Sequence, residues 1–329
     1  MAMTLRNLPA LLFALAAVSA SASEHDFDFA AGSFRSHVRR LQKPLTGSTS
    51  WFDASGEVRT RKVLNGLAEV EQVELDQPSG HIQFFNLRLW NPATRQWSIH
   101  FANARVGTIN GPPSVGEFRD GRGEFYDQEE WDGRTILVRH VFSEVKSDSY
   151  RFEQAFSADG GKTWEVNWIA DCRRVDSLPP VPEATDRNRD FDFNLGKWRA
   201  RVSRFADGKW ADFAGTADVT PFWGGRANLA ELRAGPLEGL SVRLYNPQAH
   251  TWSLYWVSAK RMTLEVAPVG SFAGGRGEFV DVEPIDGRQT FVRESFVPPS
   301  KFEAAYSFDG GRTWEPRMKI TFEPLPRDG

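Results

Sequence analysis

The chain is written twice. Asp26-Phe27-Asp28-Phe29 recurs as Asp190-Phe191-Asp192-Phe193, and Gly32 and Phe34 are answered by Gly196 and Trp198. Arg88-Leu89-Trp90-Asn91-Pro92 recurs as Arg243-Leu244-Tyr245-Asn246-Pro247, with Trp97 matched by Trp252. Gly121-Arg122-Gly123-Glu124-Phe125 recurs from Gly275 to Phe279, Asp132-Gly133-Arg134 recurs from Asp286 to Arg288, and the segment Ser157 to Glu165 recurs from Ser307 to Glu315. The order is kept while the offset drifts from 164 to 150 residues, as small loop deletions would leave it. Solenoid and propeller units run to roughly 20–50 residues, so this period is a whole domain.

Within each copy, apolar residues alternate or cluster in short runs, and Asn-Pro, Asp-Gly and Gly-Gly signals punctuate them. No segment carries helical periodicity with caps at both ends. Asp132-Gly133 and Asp286-Gly287 each sit between strand-like runs and suit tight hairpins. Many antiparallel strands in a domain of this size imply a barrel or a sandwich. The expected division is a signal peptide over 1–22, a first β domain over 24–176, a Pro-rich linker over 177–188 and a second β domain over 189–326. The signal-peptide expectation rests on Arg6, the apolar run Leu8 to Val18 and the small residues after it, and places the mature chain in the periplasm or outside the cell. No later stretch reaches membrane length.

Each half resembles the lipocalin-like (calycin-type) bacterial domain of unknown function DUF1579. The resembling residues are the opening Asp-Phe-Asp-Phe, the Arg-Leu-Trp/Tyr-Asn-Pro hairpin, the Gly-Arg-Gly-Glu-Phe segment and the closing Ser-x-Asp-Gly-Gly-Lys/Arg-Thr-Trp-Glu. The resemblance implies an all-β chain of two tandem antiparallel lipocalin-like β-barrels joined by the Pro-rich linker. It implies little about activity. The second half departs at Met318, where the first has Trp168.

Composition narrows the function classes. A net charge of −3 gives no basic nucleic-acid face. The single cysteine, Cys172, excludes an intrachain disulfide, and no histidine sits at a spacing that would make it a catalytic thiol. The six histidines show no metal-ligand spacing, no Gly-x-Ser-x-Gly elbow exists, and Gly121-x-Gly123 lacks a dinucleotide loop's third glycine, so neither metal nor cofactor is expected. The repeated Ser-x-Asp-x-Gly-x-Thr-Trp fits the Asp-box of sialidases. With only two copies a domain apart it is expected to be a structural hairpin device.

Candidate site residues come from strand faces. If Leu89 pairs with Trp97, then Arg88, Trp90, Ser98 and His100 share one face, answered by Arg243, Tyr245, Ser253 and Tyr255. That face either lines a cavity or is a solvated exterior. Arg139 with Glu153, repeated as Arg293 with Glu303, can face each other across a hairpin, either to hold a ligand's polar group or as a surface salt bridge. Glu69 and Glu71, which become Asn228 and Ala230 in the second copy, would place any acid–base chemistry in the first barrel. The leading expectation is an exported protein binding a small apolar or amphipathic molecule. An isomerase-, cyclase- or hydratase-type enzyme using Glu153, Arg139 or Glu69, and a structural or adaptor protein, are the alternatives.

Overall fold

The computed structural model describes residues 22–109, 111–185 and 187–326, so all but the last residue of the expected signal peptide lies outside the described residues. Strands β1 (Gly32–Leu41), β2 (Trp51–Val63), β3 (Ala68–Gln77), β4 (Gly80–Asn91) and β5 (Gln96–Asn103) pair in sequence. The short β6 (Thr108–Ile109) hangs on β5. β7 (Ser114–Arg119), β8 (Arg122–Trp131), β9 (Arg134–Ser143), β10 (Ser149–Ser157) and β11 (Glu165–Val175) complete the ring, which closes where β11 pairs with β1. The second half repeats this as a closed antiparallel barrel of β12 (Gly196–Ala206), β13 (Lys209–Phe222), β14 (Ala227–Ala234), β15 (Leu237–Asn246), β16 (Thr251–Ser258), β17 (Val269–Ala273), β18 (Arg276–Ile285), β19 (Arg288–Val297), β20 (Lys301–Ser307) and β21 (Glu315–Pro324).

The repeated motifs are the barrels' joints. Asp132 and Gly133 both take positive φ (51° and 70°), as do Asp286 and Gly287 (51° and 74°), which is the two-residue hairpin geometry that matches strand twist. Gly123 lies under the ring of Phe118, where a Cβ would fall 2.6 Å from the ring, and Gly277 lies under Phe272 at the same distance. In the Asp-box turns, Ser157 Oγ donates to Asp159 (2.8 Å), and Thr163 donates to Asp159 through its backbone N–H (2.9 Å) and its hydroxyl (2.7 Å). Ser307, Asp309 and Thr313 repeat these bonds. The motif is spent on its own turn.

Asp-Phe-Asp-Phe closes one end of each barrel. A single 3-10 turn, Asp28–Ala30, sets Phe27 among Trp97, Phe118, Phe125 and Phe142, with ring centroids 5.0 to 5.6 Å apart. Phe191 does the same against Trp252, Phe272, Phe279 and Phe296. Each plug ring is fully buried, and edge-to-face contacts add to the area it hides.

The barrels meet through equivalent outer faces. Val70, Phe85, Leu87, Leu89 and Ala102 of β3–β5 form one buried apolar cluster with Leu229, Leu240, Val242, Leu244 and Val257 of β14–β16. Matching strands touching matching strands is the isologous arrangement of a two-fold dimer, here within one chain. Polar contacts rim the cluster: Arg61 donates to Thr220 (2.6 Å), and Arg226 donates to Gln83 (2.6 Å). The proline-rich segment runs alongside, with Pro179 O accepting from Arg59 (2.6 Å) and Ala184 N–H donating to Gly224 O (2.9 Å).

Candidate binding cavity of the first barrel

Turns and plug divide the first barrel into a closed end and an open one. The hairpins that follow β1, β3, β8 and β10 gather at the end away from Phe27. Between plug and open end lies a cavity of about 550 Å³. Its wall mixes Phe52, Ile82, Phe84, Phe152 and Trp168 with polar side chains at three levels.

At the floor, Arg88 of β4 is fully buried between two carboxylates of β3. Its guanidinium bonds Glu69 at 3.2 Å and Glu71 at shorter range, and it stacks over the plug ring of Phe27 at 4.4 Å. Glu71 is further held by Asn86 Nδ2 (2.7 Å). Burial raises the Glu69 carboxyl to about 7 against the lowering effect of Arg88. Tyr150 and Cys172 close the floor with a mutual hydrogen bond. Burial lifts the tyrosine hydroxyl well above its usual value and the thiol to about 12, so this cysteine is a packed residue.

Midway up, four polar residues from separate strands form one network. His140 Nδ1 lies 3.0 Å from Ser114 Oγ, Ser114 also donates to Asp127 Oδ2, and Gln154 bonds His140 from β10. Burial lowers the His140 imidazole to about 4, leaving it neutral, and raises Asp127. Glu129, two residues on and facing the same way, is raised to about 7 by burial and by Asp127. At the open end stands Arg40, its guanidinium 4.4 Å over Trp168.

The second interior is built on the same plan with different groups. Arg243 stacks over the plug ring of Phe191 (4.6 Å) and donates to Asn194 (2.8 Å). Among the described residues no carboxylate lies within ion-pair distance of it, and burial lowers it to about 10. Glu294 occupies the position of His140. Burial raises it to about 8, and Asp281, which matches Asp127, to about 7. Pro268 and Ala304 stand where Ser114 and Gln154 do in the first barrel, so the network is not repeated.

The structure corrects several sequence expectations. The β4–β5 hairpin pairs Trp90 with Trp97 and Leu89 with Ser98, one residue off the expected register. Arg88 and Trp90 therefore point inward with Trp97 and Ile99, but Ser98 and His100 point outward. His100 is buried, its imidazole lowered to about 4, yet it is not part of the cavity wall. In the second copy Arg243 and Tyr245 are interior, and Tyr255 is at the interface, where its hydroxyl accepts from Ile109 N–H (2.8 Å). Arg139 and Glu153 do not form a pair. Arg139 is opposite Ala155 and Glu153 opposite Val141, both on the outer face. Arg139 stacks on Trp164 (4.6 Å) and Glu153 bonds Arg151 (3.3 Å). Arg293 likewise stacks on Trp314 (4.3 Å), while Glu303 is opposite Ser295. Glu69 is interior, but Arg88 occupies it.

No family model matches the chain, and no curated protein matches it. Among solved structures it is similar to the S-type phycobiliprotein lyase CPES from Guillardia theta, at 10% identity over 47% of this chain and 93% of that one, with a TM-score of 0.33. It is also similar to a protein of unknown function of the DUF3598 family from Nostoc punctiforme PCC 73102, at 12% identity over 92% of this chain and 98% of that one, with a TM-score of 0.27. Likeness at this distance carries no argument about function.

Proposed function

We propose that the protein is an exported binding protein whose first barrel takes up a small, largely apolar molecule. The observation that carries this reading is the cavity of about 550 Å³, which falls in the roughly 300–1,000 Å³ range of small-molecule sites. An aromatic and aliphatic wall with a few convergent polar groups suits an amphipathic guest. The floor disfavours a ligand's carboxylate, because Arg88 already carries two carboxyls. The halves do pack face to face, as the adaptor alternative requires, but that face is consumed within the chain.

The test is saturable fluorescence enhancement of N-phenyl-1-naphthylamine, an uncharged apolar fluorophore. Ala170 of β11 is buried and lines the cavity. Ala170→Trp fills the space with an indole and is expected to weaken probe binding by about tenfold or more, which corresponds to ~1.4 kcal/mol. Circular dichroism would check that the barrel is retained. Equal binding by both proteins rejects the cavity as the site.

The Ser114–Asp127–His140 network favours a second reading, acid–base chemistry on the bound molecule. A neutral imidazole and a protonatable carboxyl joined through one hydroxyl can pass a proton along the wall. If turnover is found, its loss in His140→Gln with probe binding intact selects this reading.

A further inference from the structure

Arg40 is a cation in this cavity that no carboxylate among the described residues answers. It is the last residue but one of β1, and it faces inward with Ser36 and Val38, all three lining the cavity. Its guanidinium is bracketed by aromatic rings, 4.4 Å over Trp168 and 5.9 Å from Phe52. One nitrogen, Nη1, donates to Gln77 Oε1 at 3.1 Å. Nε and Nη2 make no hydrogen bond to any described residue, and neither is sealed from the cavity space. No carboxylate among the described residues comes within ion-pair distance. Of the acids of β8 that line the cavity, Asp127 accepts from Ser114 Oγ, and neither it nor Glu129 comes within ion-pair distance of Arg40. Burial lowers the Arg40 guanidinium, the sign of a cation that has lost water without gaining a counter-charge.

Arg88 shows the contrast. It is more deeply buried, and two glutamates answer its charge through Nη1 and Nη2. A half-desolvated guanidinium with a donor edge turned to open space is the arrangement that receives a planar anion bidentately, and the flanking rings hold that edge in place. The partner position in the second barrel keeps an arginine, Arg204, but replaces the ring beneath it: Met318 is opposite Arg204 where Trp168 is opposite Arg40. The bracketed arrangement is therefore particular to the barrel with the described cavity.

We propose that Arg40 receives the anionic head group of an amphipathic acid at the open end of the first barrel, with the ligand's apolar chain running down toward the Phe27 plug. This rests on the cavity reading and adds the ligand's charge and its direction. The apolar wall between Trp168 and Phe142 takes the chain, and the head stays at the end where water can reach it, so the chain is buried without burying an unpaired charge. A molecule inserted the other way would bring its carboxylate to Glu69 and Glu71.

The test compares dodecanoate with dodecanol, which share a chain and differ in charge, by isothermal titration calorimetry with the full chain near neutral pH. Wild type is expected to bind the acid about tenfold or more tightly than the alcohol, because a charge-assisted bidentate contact is worth more than one neutral bond. Arg40→Gln is expected to remove that preference while leaving dodecanol affinity within about twofold, and Arg40→Lys to keep part of it, since lysine retains charge but not the fork. Equal affinity of wild type for acid and alcohol, or unchanged acid binding in Arg40→Gln, overturns the Arg40 assignment and leaves the cavity reading to its uncharged probe. Absence of binding by both, together with failure of the uncharged probe, overturns both.

Discussion

Arg88→Ala is expected to destabilise the protein by about 3–5 kcal/mol, because it strands two carboxyls inside the first barrel. Arg88 is 1% exposed and Glu69 equally so, and the guanidinium is the one cation that both Glu69 and Glu71 contact. Removing it also takes the flat face from above Phe27, so the plug loses its stacking partner. For a domain of this size the melting temperature would fall by about 10 °C, readable by calorimetry or urea unfolding. Converting the whole cluster to apolar residues, with Glu69→Leu and Glu71→Leu added to Arg88→Met, is expected to recover most of the loss, since no charge is then left unpaired. A loss below about 1 kcal/mol in Arg88→Ala would mean that the carboxyls find water and that the floor is not sealed.

Glu294→Gln is expected to flatten the decline in stability that wild type shows between about pH 5 and about pH 8. The carboxyl titrates near its ordinary 4.5 in the unfolded chain and at about 8 in the barrel. Between those values the native state binds more protons at this site, so its contribution to stability is full below 4.5 and lost as pH rises through 8. Asp281 and Glu69, both raised to about 7, act in the same direction. His100 and His140, lowered from 6.5 to about 4, act oppositely: their contribution is present above 6.5 and lost as pH falls toward 4. The neutral amide removes only this part of the profile, between about pH 5 and about pH 8. Thermal melts across that range check it, and an unchanged slope in the variant would place Glu294 in contact with solvent.

Much of the fold is legible in the sequence because turns and plugs use residues that little else explains. Asp132-Gly133 and Asp286-Gly287 demand a hairpin, and the Asp-box turns demand their own side chains. Repetition then closes two barrels from one set of signals. The register of β4 and β5 is not legible, for a physical reason. A four-residue loop from Pro92 to Arg95, with Arg95 at φ 56° and its N–H on Asn91 O (2.8 Å), pairs Asn91 with Gln96. In a strand with one wet face, apolar alternation would expose that one-residue slip. Here both faces are buried, one in the barrel and one against the second barrel, so the outward Leu87 and Leu89 are more apolar than the inward Asn86 and Arg88.

The same double burial hides the interface from sequence reasoning. The Arg139–Glu153 expectation has the shared face right and leaves its side of the wall open; the pairing itself fails, because Trp164 and Arg151 are nearer partners than the sequence can show. Asp127, Glu129 and Arg40 were missed because charged residues in an exposed-looking run suggest solvent. The available signal was parity. Asp127 and Glu129 share the parity of the fully buried Phe125, and Asp281 and Glu283 share that of Phe279. The Ser114–Asp127–His140 network has no sequence signature, since three strands bring it together.

Entry of a ligand into the first barrel is tested most directly by crystals grown with dodecanoate carrying a terminal bromine. An anomalous peak is expected inside the first barrel near Phe142 and Tyr150, with the carboxylate at Arg40. Bromine at the interface between the barrels or on the outer surface, with the first interior holding only water, would contradict it.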